Sequence, residues 1–424
     1  MIPVSKKNEV LKESISIYTL ENGMKCYLIP KKDYISNECA IVVFYGANDI
    51  SFKIDDEIYN SNLGTAHFIE HKLFAKPEGD VFSLFAKQNA EANAFTDFGK
   101  TVYYFTCNDN LKENLKTLIY MVKKPYFTSE NVNSEKDIIK QEITMYEDNP
   151  DWCCYYNMLN IMYNNHPIKN KIAGNCESVE KIDEKMLYKC YNSFYVPSNM
   201  ALVCAGNFNE NDIFEFIKNE FSDFNNKNEC SVIYKNEESN IIEKYVETKM
   251  DIKESFFNIG YKLPKYFFES DIKKSFAIKI LSDILFGESS NFYKKMYEKG
   301  ILKEPLGMDF ISGKEFAFLV ITGQCFFAED VAEYIIYEFE KAKKEGIMSA
   351  VFDRIKKKHC SRFIRGLNSI DAEVMAQIEF ATKNTDIIDA YDSLMKIDID
   401  YIKDIITKGF FSKDMVLSVV KPKE

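Results

Sequence analysis

A diverged internal repeat constrains this chain more than any other feature. The stretch FYVPSNMALVCAG (Phe194 to Gly206) resembles FFSKDMVLSVV (Phe410 to Val420), with Met200 matching Met415 at an offset of 215 residues. In each copy a helical pattern leads through an aromatic pair and a polar turn into a short apolar strand. Half the chain separates the copies, so its 424 residues suit two related domains of about 200 residues rather than one. The expected division is 1–224, a polar Asn- and Glu-rich linker at 225–240, and 241–424.

Within the first half, Ile15 to Leu20 and Lys25 to Ile29 flank Asn22-Gly23, a strong hairpin signal, and Ala40 to Gly46 continues as an apolar strand. Helical periods cover Gly64 to Lys76, Asp80 to Gln88, Leu111 to Lys123 and Ser134 to Tyr146, while TVYYFTC (Thr101 to Cys107) is rich in strand formers. Strands and helices mix without strict alternation. Each half is therefore expected to be α+β, an antiparallel sheet with helices packed on one face.

Composition removes several function classes. The chain carries 65 acidic against 54 basic residues, and only Arg354, Arg362 and Arg365 are arginines, so it lacks the basic, forked-guanidinium surface that binds a phosphate backbone. Its eleven cysteines are scattered without C-x-x-C spacing and are expected to be reduced and mostly buried. The opening residues MIPVSKKNEVLKES lack an apolar signal core, and the most apolar run, Phe316 to Phe327, is broken by Gly323 and Gln324. A cytoplasmic protein with neither membrane nor nucleic-acid partner is expected.

The chemistry concentrates in HFIEH, His67 to His71, inside the helical segment GTAHFIEHKLF. Residues four apart on a helix share a face, so both imidazoles can grip one ion, with Glu70 beside them. Neutral imidazoles suit Zn²⁺, and bound zinc lowers the pKa of a coordinated water to roughly 7, ready for a carboxylate to deprotonate it. Glu70 is placed for that task. Only four histidines exist in the chain and two fall in this spacing; His166, before Pro167, reads as a turn residue, and His359 carries no such pattern.

A catalytic zinc needs a third protein ligand and an open position. The helix SEKDIIKQEITMYED offers Glu135, Glu142, Glu147 and Asp148. Glu135 and Glu142, seven apart, share a face, whereas Glu147 lies about 140° round from Glu142. Glu142 and Glu147 cannot both reach the metal, and periodicity alone leaves the choice open.

Taken with their surroundings, these residues resemble the pitrilysin family, which includes insulysin and the mitochondrial processing peptidases, through its inverted H-x-x-E-H motif. The order LENGMKCYLIP, GTAHFIEHKLF, NAFT, SEKDIIKQEITMYEDNPDW and FYVPSNMALVCAG matches the family through the first half. LFGESSNFYKKMYEKGIL (Leu285 to Leu302) and the final strand resemble it more weakly in the second. The resemblance implies Glu142 as third ligand to one zinc per chain, with Glu135 supporting the catalytic site from behind. It places Asn93 and Ala94 on an edge strand that pairs with an extended substrate peptide. It further implies a zinc endopeptidase acting on short or unfolded peptides, or a dedicated leader peptidase.

Sliding the second half onto the first at Leu73-Phe74 and Leu285-Phe286 puts Lys279, Ser282 and Asp283 where His67, Glu70 and His71 stand, so no zinc belongs there. Family enzymes enclose peptides in a clamshell chamber of four such repeats, and this chain supplies two. Many active relatives also carry an Arg followed seven residues later by a Tyr. Here Tyr297 occupies the Arg position, and Arg354, Arg362 and Arg365 are followed at that distance by Ser361, Ser369 and Ala372. A zinc-free paralogous subunit supplying that pair is the expected partner, with a homodimer as the other arrangement. A non-catalytic, peptide-binding subunit is the alternative function, although such subunits usually lose a ligand or the base and this chain keeps His67, Glu70, His71 and Glu142.

Overall fold

Asn22-Gly23 turns the chain sharply, with Gly23 at φ 90°, and the strands Glu13–Thr19 and Lys25–Pro30 pair antiparallel on either side. The computed structural model describes residues 3–225, 230–269 and 271–423. The hairpin belongs to a seven-stranded sheet in the order Val4–Asn8, Glu13–Thr19, Lys25–Pro30, Met200–Gly206, Asn37–Val43, Thr101–Cys107, Ala90–Thr96. Neighbours are antiparallel except Lys25–Pro30 with Met200–Gly206, so the sheet is mixed, with a single parallel pair.

A second, five-stranded sheet runs Tyr245–Met250, Met415–Pro422, Phe256–Lys262, Phe316–Gln324, Gly307–Gly313. Numbered along the chain, its strands follow the sequence first, last, second, fourth, third, which is also that of the last five strands of the larger sheet. Its first pair is likewise parallel and the others antiparallel. Met200 and Met415 each open the last strand of their sheet. The α+β reading and the repeat therefore stand.

The helices Thr65–Leu73, Leu111–Lys123, Ser129–Glu147, Glu184–Phe194 and Glu210–Glu220 share one apolar core with the inner face of the larger sheet. Ser129–Glu147 starts five residues before the expected Ser134 because Thr128 and Asn131 cap it reciprocally: each side-chain oxygen accepts the other's backbone N–H, at 3.2 and 3.0 Å.

Strands Asn37–Val43 and Met200–Gly206 are buried along their whole length, which requires cover on the outer face as well. The helix Ile370–Thr382 supplies it. In the smaller sheet the helix Pro150–Met162 lies over Phe256–Lys262 and Met415–Pro422, and a Cβ at Gly260 would collide with Met158 and Met162. Each sheet is thus covered by a helix encoded in the other half of the chain.

The compact units are accordingly discontinuous. One comprises Met1–Ile143, Asn170–Ile233 and Ile364–Asp389; the other comprises Thr144–Lys169, Tyr234–Phe363 and Ala390–Glu424. They differ from a continuous division at 1–224, 225–240 and 241–424. Of the expected linker, 226–229 lie outside the described residues, Cys230–Val232 is a strand paired with Ser51–Ile54, and Glu237 pairs with Lys262 while accepting the backbone N–H groups of Asn164, Asn165 and His166.

The expectation of reduced thiols needs one correction. Cys39 and Cys204 stand opposite each other on adjacent antiparallel strands and are joined as a disulfide, the one such pair among the described residues. Among the described residues no helix is long and apolar enough to cross a membrane.

Candidate metal centre

The motif helix Thr65–Leu73 begins at Gly64, whose φ of 86° is a left-handed conformation and where a Cβ would collide with the Ala173 carbonyl. Glycine is needed there, and it sets the entry of the helix against the sheet. His67 and Glu70 are buried, at 7% and 9% exposure. The rings of His67 and His71 lie 4.6 Å apart, centroid to centroid.

Glu142, from the helix Ser129–Glu147, faces both rings. Its Oε1 is 3.6 Å from His67 Nε2 and its Oε2 is 3.4 Å from His71 Nε2. Two donors each about 2.1 Å from one ion at the tetrahedral angle sit about 3.4 Å apart, so these separations are those of atoms converging on a zinc-sized cation. Among the described residues, His67, His71 and Glu142 form the one group whose ligand atoms gather in this way, all within 4.8 Å of one another. Two imidazoles and one carboxylate are a donor set that zinc favours, and three ligands leave a position open. The residues fit the metal.

Glu135, one turn-pair earlier on the same helix, accepts from His71 Nδ1 at 3.1 Å and from Lys72 Nζ at 2.9 Å. It thereby fixes the His71 ring with Nε2 toward Glu142. Burial works to lower the His71 pKa, but the hydrogen bonds to Glu135 and Glu142 and the charge of Glu70 overcome it and push it up to about 9. Three carboxylates around two imidazoles call for a cation, and without a metal the proton on His71 provides it. Burial would raise the Glu135 carboxyl, yet its bonds to His71 and Lys72 hold it below the usual range.

Glu70 is not among the gathered ligands. Its Oε2 accepts a hydrogen bond of 2.6 Å from Thr96 Oγ1, which leaves Oε1 free of that partner. Thr96 ends the strand Ala90–Thr96, which lies at the edge of the larger sheet with Thr101–Cys107 as its neighbour. Strand alternation puts Ala90, Ala92, Ala94 and Thr96 on the face toward the motif helix and Asn93 on the other. The Asn93 side chain accepts from the Ala94 N–H at 2.8 Å. Thr96 and Lys72 escaped the sequence reading. Strand alternation from Ala94 would have aimed Thr96 at the motif helix, whereas nothing in the sequence tied Lys72 to Glu135.

The remaining histidines lie elsewhere. His166 is wholly buried, its Nε2 donating to the Lys314 carbonyl at 3.0 Å and its Nδ1 accepting from Ile168 N–H at 3.0 Å, and burial lowers its pKa to about 4. His359 donates to Asp283.

Two family models match: Insulinase (Peptidase family M16) over residues 59–175 and Peptidase M16 inactive domain over residues 181–358. Over 425 aligned residues the chain is 33% identical to the uncharacterized zinc protease YmfH of Bacillus subtilis strain 168, covering 98% of each. The chain belongs to the M16 peptidase family. Within it, the zinc protease PqqE of Helicobacter pylori is 23% identical over 366 residues, covering 83% of this chain and 80% of that one. A solved M16-like peptidase structure from Alicyclobacillus acidocaldarius superposes with a TM-score of 0.93 at 28% identity, covering 99% of this chain and 100% of that one. The pitrilysin resemblance, of the short two-domain bacterial type, is thereby shown. The Bacillus and Helicobacter relatives are named zinc proteases, and the His67, His71 and Glu142 group is the feature of this chain that could hold such a metal.

Proposed function

We propose that this protein is a zinc-dependent endopeptidase that hydrolyses short or unfolded peptides. The observation that carries the reading is Glu70: it is buried on the same helix as both imidazoles, stands outside the ligand group, and is held by Thr96 from the edge strand. Zinc held by His67, His71 and Glu142 would supply Lewis acidity toward a water and the scissile carbonyl. Glu70 takes the proton of the attacking water on Oε1, while the Thr96 hydroxyl keeps Oε2 fixed, and the same carboxyl then delivers that proton to the leaving amine. Glu135 holds the His71 ring in register. The free side of Ala90–Thr96 receives the peptide as an added strand, which places Asn93 and Ala94 against the substrate backbone.

The decisive experiment is Glu70→Gln with metal analysis and a quenched-fluorescence peptide assay. Zinc should stay stoichiometric while hydrolysis falls by about three orders of magnitude or more, and a chelator should abolish the wild-type activity reversibly. Loss of zinc from Glu70→Gln would make Glu70 a ligand instead; turnover near wild type with metal bound would end the general-base assignment.

The absence of an Arg followed seven residues later by a Tyr favours a second element of the reading, a zinc-free paralogous partner that supplies transition-state contacts, with a homodimer as the fallback. The same absence is what supports the non-catalytic, peptide-binding alternative. Native mass spectrometry of protein purified from its own cells separates them: a heterodimer with one zinc and peptidase activity is expected, and a zinc-bound assembly that binds peptide without cleaving it would select the alternative.

A further inference from the structure

Thr96, which donates to Glu70 at 2.6 Å, is the first of four hydroxyls in a row behind the motif helix. Thr101 stands directly opposite it on the neighbouring strand, and their Oγ1 atoms are 3.3 Å apart. Thr101 Oγ1 also donates to the Tyr45 carbonyl at 2.9 Å and is hydrogen-bonded to the Tyr195 hydroxyl. Tyr195 closes the helix Glu184–Phe194 at its C-terminal end, and its hydroxyl is 2.7 Å from that of Tyr103. Strand alternation puts Tyr103 on the same face as Thr101. Thr101, Tyr103 and Tyr195 are each at most 1% exposed.

Replacing both partners of a buried hydrogen bond by apolar groups of the same shape is close to neutral, so valine and phenylalanine would fill these positions as well. What the hydroxyls add is direction. Burial above all, with the Glu70 charge adding to it, holds both phenols well above the usual tyrosine range, so both stay donors. Each hydroxyl has one proton, and the order that keeps every proton in use runs from Tyr103 to Tyr195 to Thr101. Tyr195 as donor fills the Thr101 oxygen and turns the Thr101 proton toward the Tyr45 carbonyl and Thr96 Oγ1. Thr96 then accepts from Thr101, and its own proton is left for Glu70. Without the Tyr195 hydroxyl, the Thr101 oxygen is open to the Thr96 proton, which would be drawn off the carboxylate. The row ends in a buried phenol, so it orients a donor and carries no proton to solvent.

We propose that Thr101, Tyr195 and Tyr103 are positioning residues, a row of hydroxyls that keeps the Thr96 proton on Glu70 and so holds the general base in place. The effect on rate rests on the peptidase reading, whereas the hydrogen-bonded row itself needs neither zinc nor turnover.

The test has two arms. In the first, metal-free wild type, Tyr195→Phe, Thr96→Val and the double variant are unfolded in urea. Tyr195 and Thr96 communicate through Thr101, so their effects on the folding constant should depart from additivity by about fivefold, whereas independent sites add to within about twofold. In the second arm the zinc-loaded proteins are assayed on a quenched-fluorescence peptide. Tyr195→Phe should lower kcat about fivefold with KM and zinc content unchanged, fading to about twofold in Tyr103→Phe. Thr101→Ser, which keeps the hydroxyl, should stay within about twofold of wild type, and Thr101→Val, which keeps the shape, should fall about fivefold. Additive stabilities, unchanged kcat in Tyr195→Phe, or a rise in KM alone would overturn the proposal. A Thr101→Ser variant slower than Thr101→Val would do the same, by making Thr101 a packing residue. Zinc-loaded wild type that cleaves nothing would sink the peptidase reading instead, and the urea cycle would then decide the row by itself.

Discussion

Replacing Glu135 by Gln tests two roles of one carboxylate at once. Its Oε1 holds His71 Nδ1 at 3.1 Å and its Oε2 holds Lys72 Nζ at 2.9 Å. Lys72 has a side chain only 5% exposed and Glu135 one 15% exposed, so the variant leaves a nearly buried ammonium without its counter-charge. Removing one member of a buried pair costs about 3–5 kcal/mol, and the partial exposure of Glu135 places the expected loss near 3 kcal/mol. Zinc affinity is a separate quantity. Loss of an outer partner of a metal-bound histidine typically costs about 10- to 100-fold, and the amide oxygen can still accept from His71, so about tenfold is expected. The assay pairs urea unfolding of the metal-free protein with zinc competition against a chromophoric chelator. The double variant Glu135→Gln/Lys72→Met separates the two effects, because it removes the stranded ammonium and should recover most of the unfolding free energy while zinc affinity stays down. Zinc affinity that recovers together with stability, or that never falls in Glu135→Gln, would refute the role of Glu135 in holding His71.

Three further outcomes are expected. Glu142→Gln should weaken zinc binding by at least about tenfold and Glu147→Gln should not, because Glu142 faces both imidazoles and Glu147 is not in the gathered group; equal zinc loss after dialysis would contradict the helix-face argument. Thr96→Val, which keeps shape but removes the donor to Glu70, should lower kcat about 10- to 100-fold with zinc stoichiometry intact; unchanged kcat would show that Thr96 does not position the base. His166 has a folded pKa of about 4, below its unfolded value, so the unfolded state binds more protons between about pH 6.5 and 4 and stability falls as pH drops through that window, by on the order of 3 kcal/mol. His166→Gln should flatten the fall in urea midpoint over that range, and an equally steep fall in the variant would disprove the assignment.

The sequence by itself determined what depends on neighbours along the chain. The spacing of His67, Glu70 and His71 put two imidazoles and a carboxylate on one helix, the Met200 and Met415 copies announced two related sheets, and Asn22-Gly23 fixed the hairpin of Glu13–Thr19 with Lys25–Pro30. Periodicity also showed that Glu142 and Glu147 could not serve together, but which of them faces His67 and His71 depends on how Ser129–Glu147 packs across the motif helix, and local pattern does not encode that. Thr96 meets Glu70, and Glu135 meets Lys72, only because strand and helices converge from separate parts of the chain. The same holds for Ile370–Thr382 and Pro150–Met162, each an apolar helix whose sequence says that it must be buried but not against which sheet. Burial is demanded by composition, whereas the identity of the buried partner is set by long-range packing, and only the tertiary structure decided it.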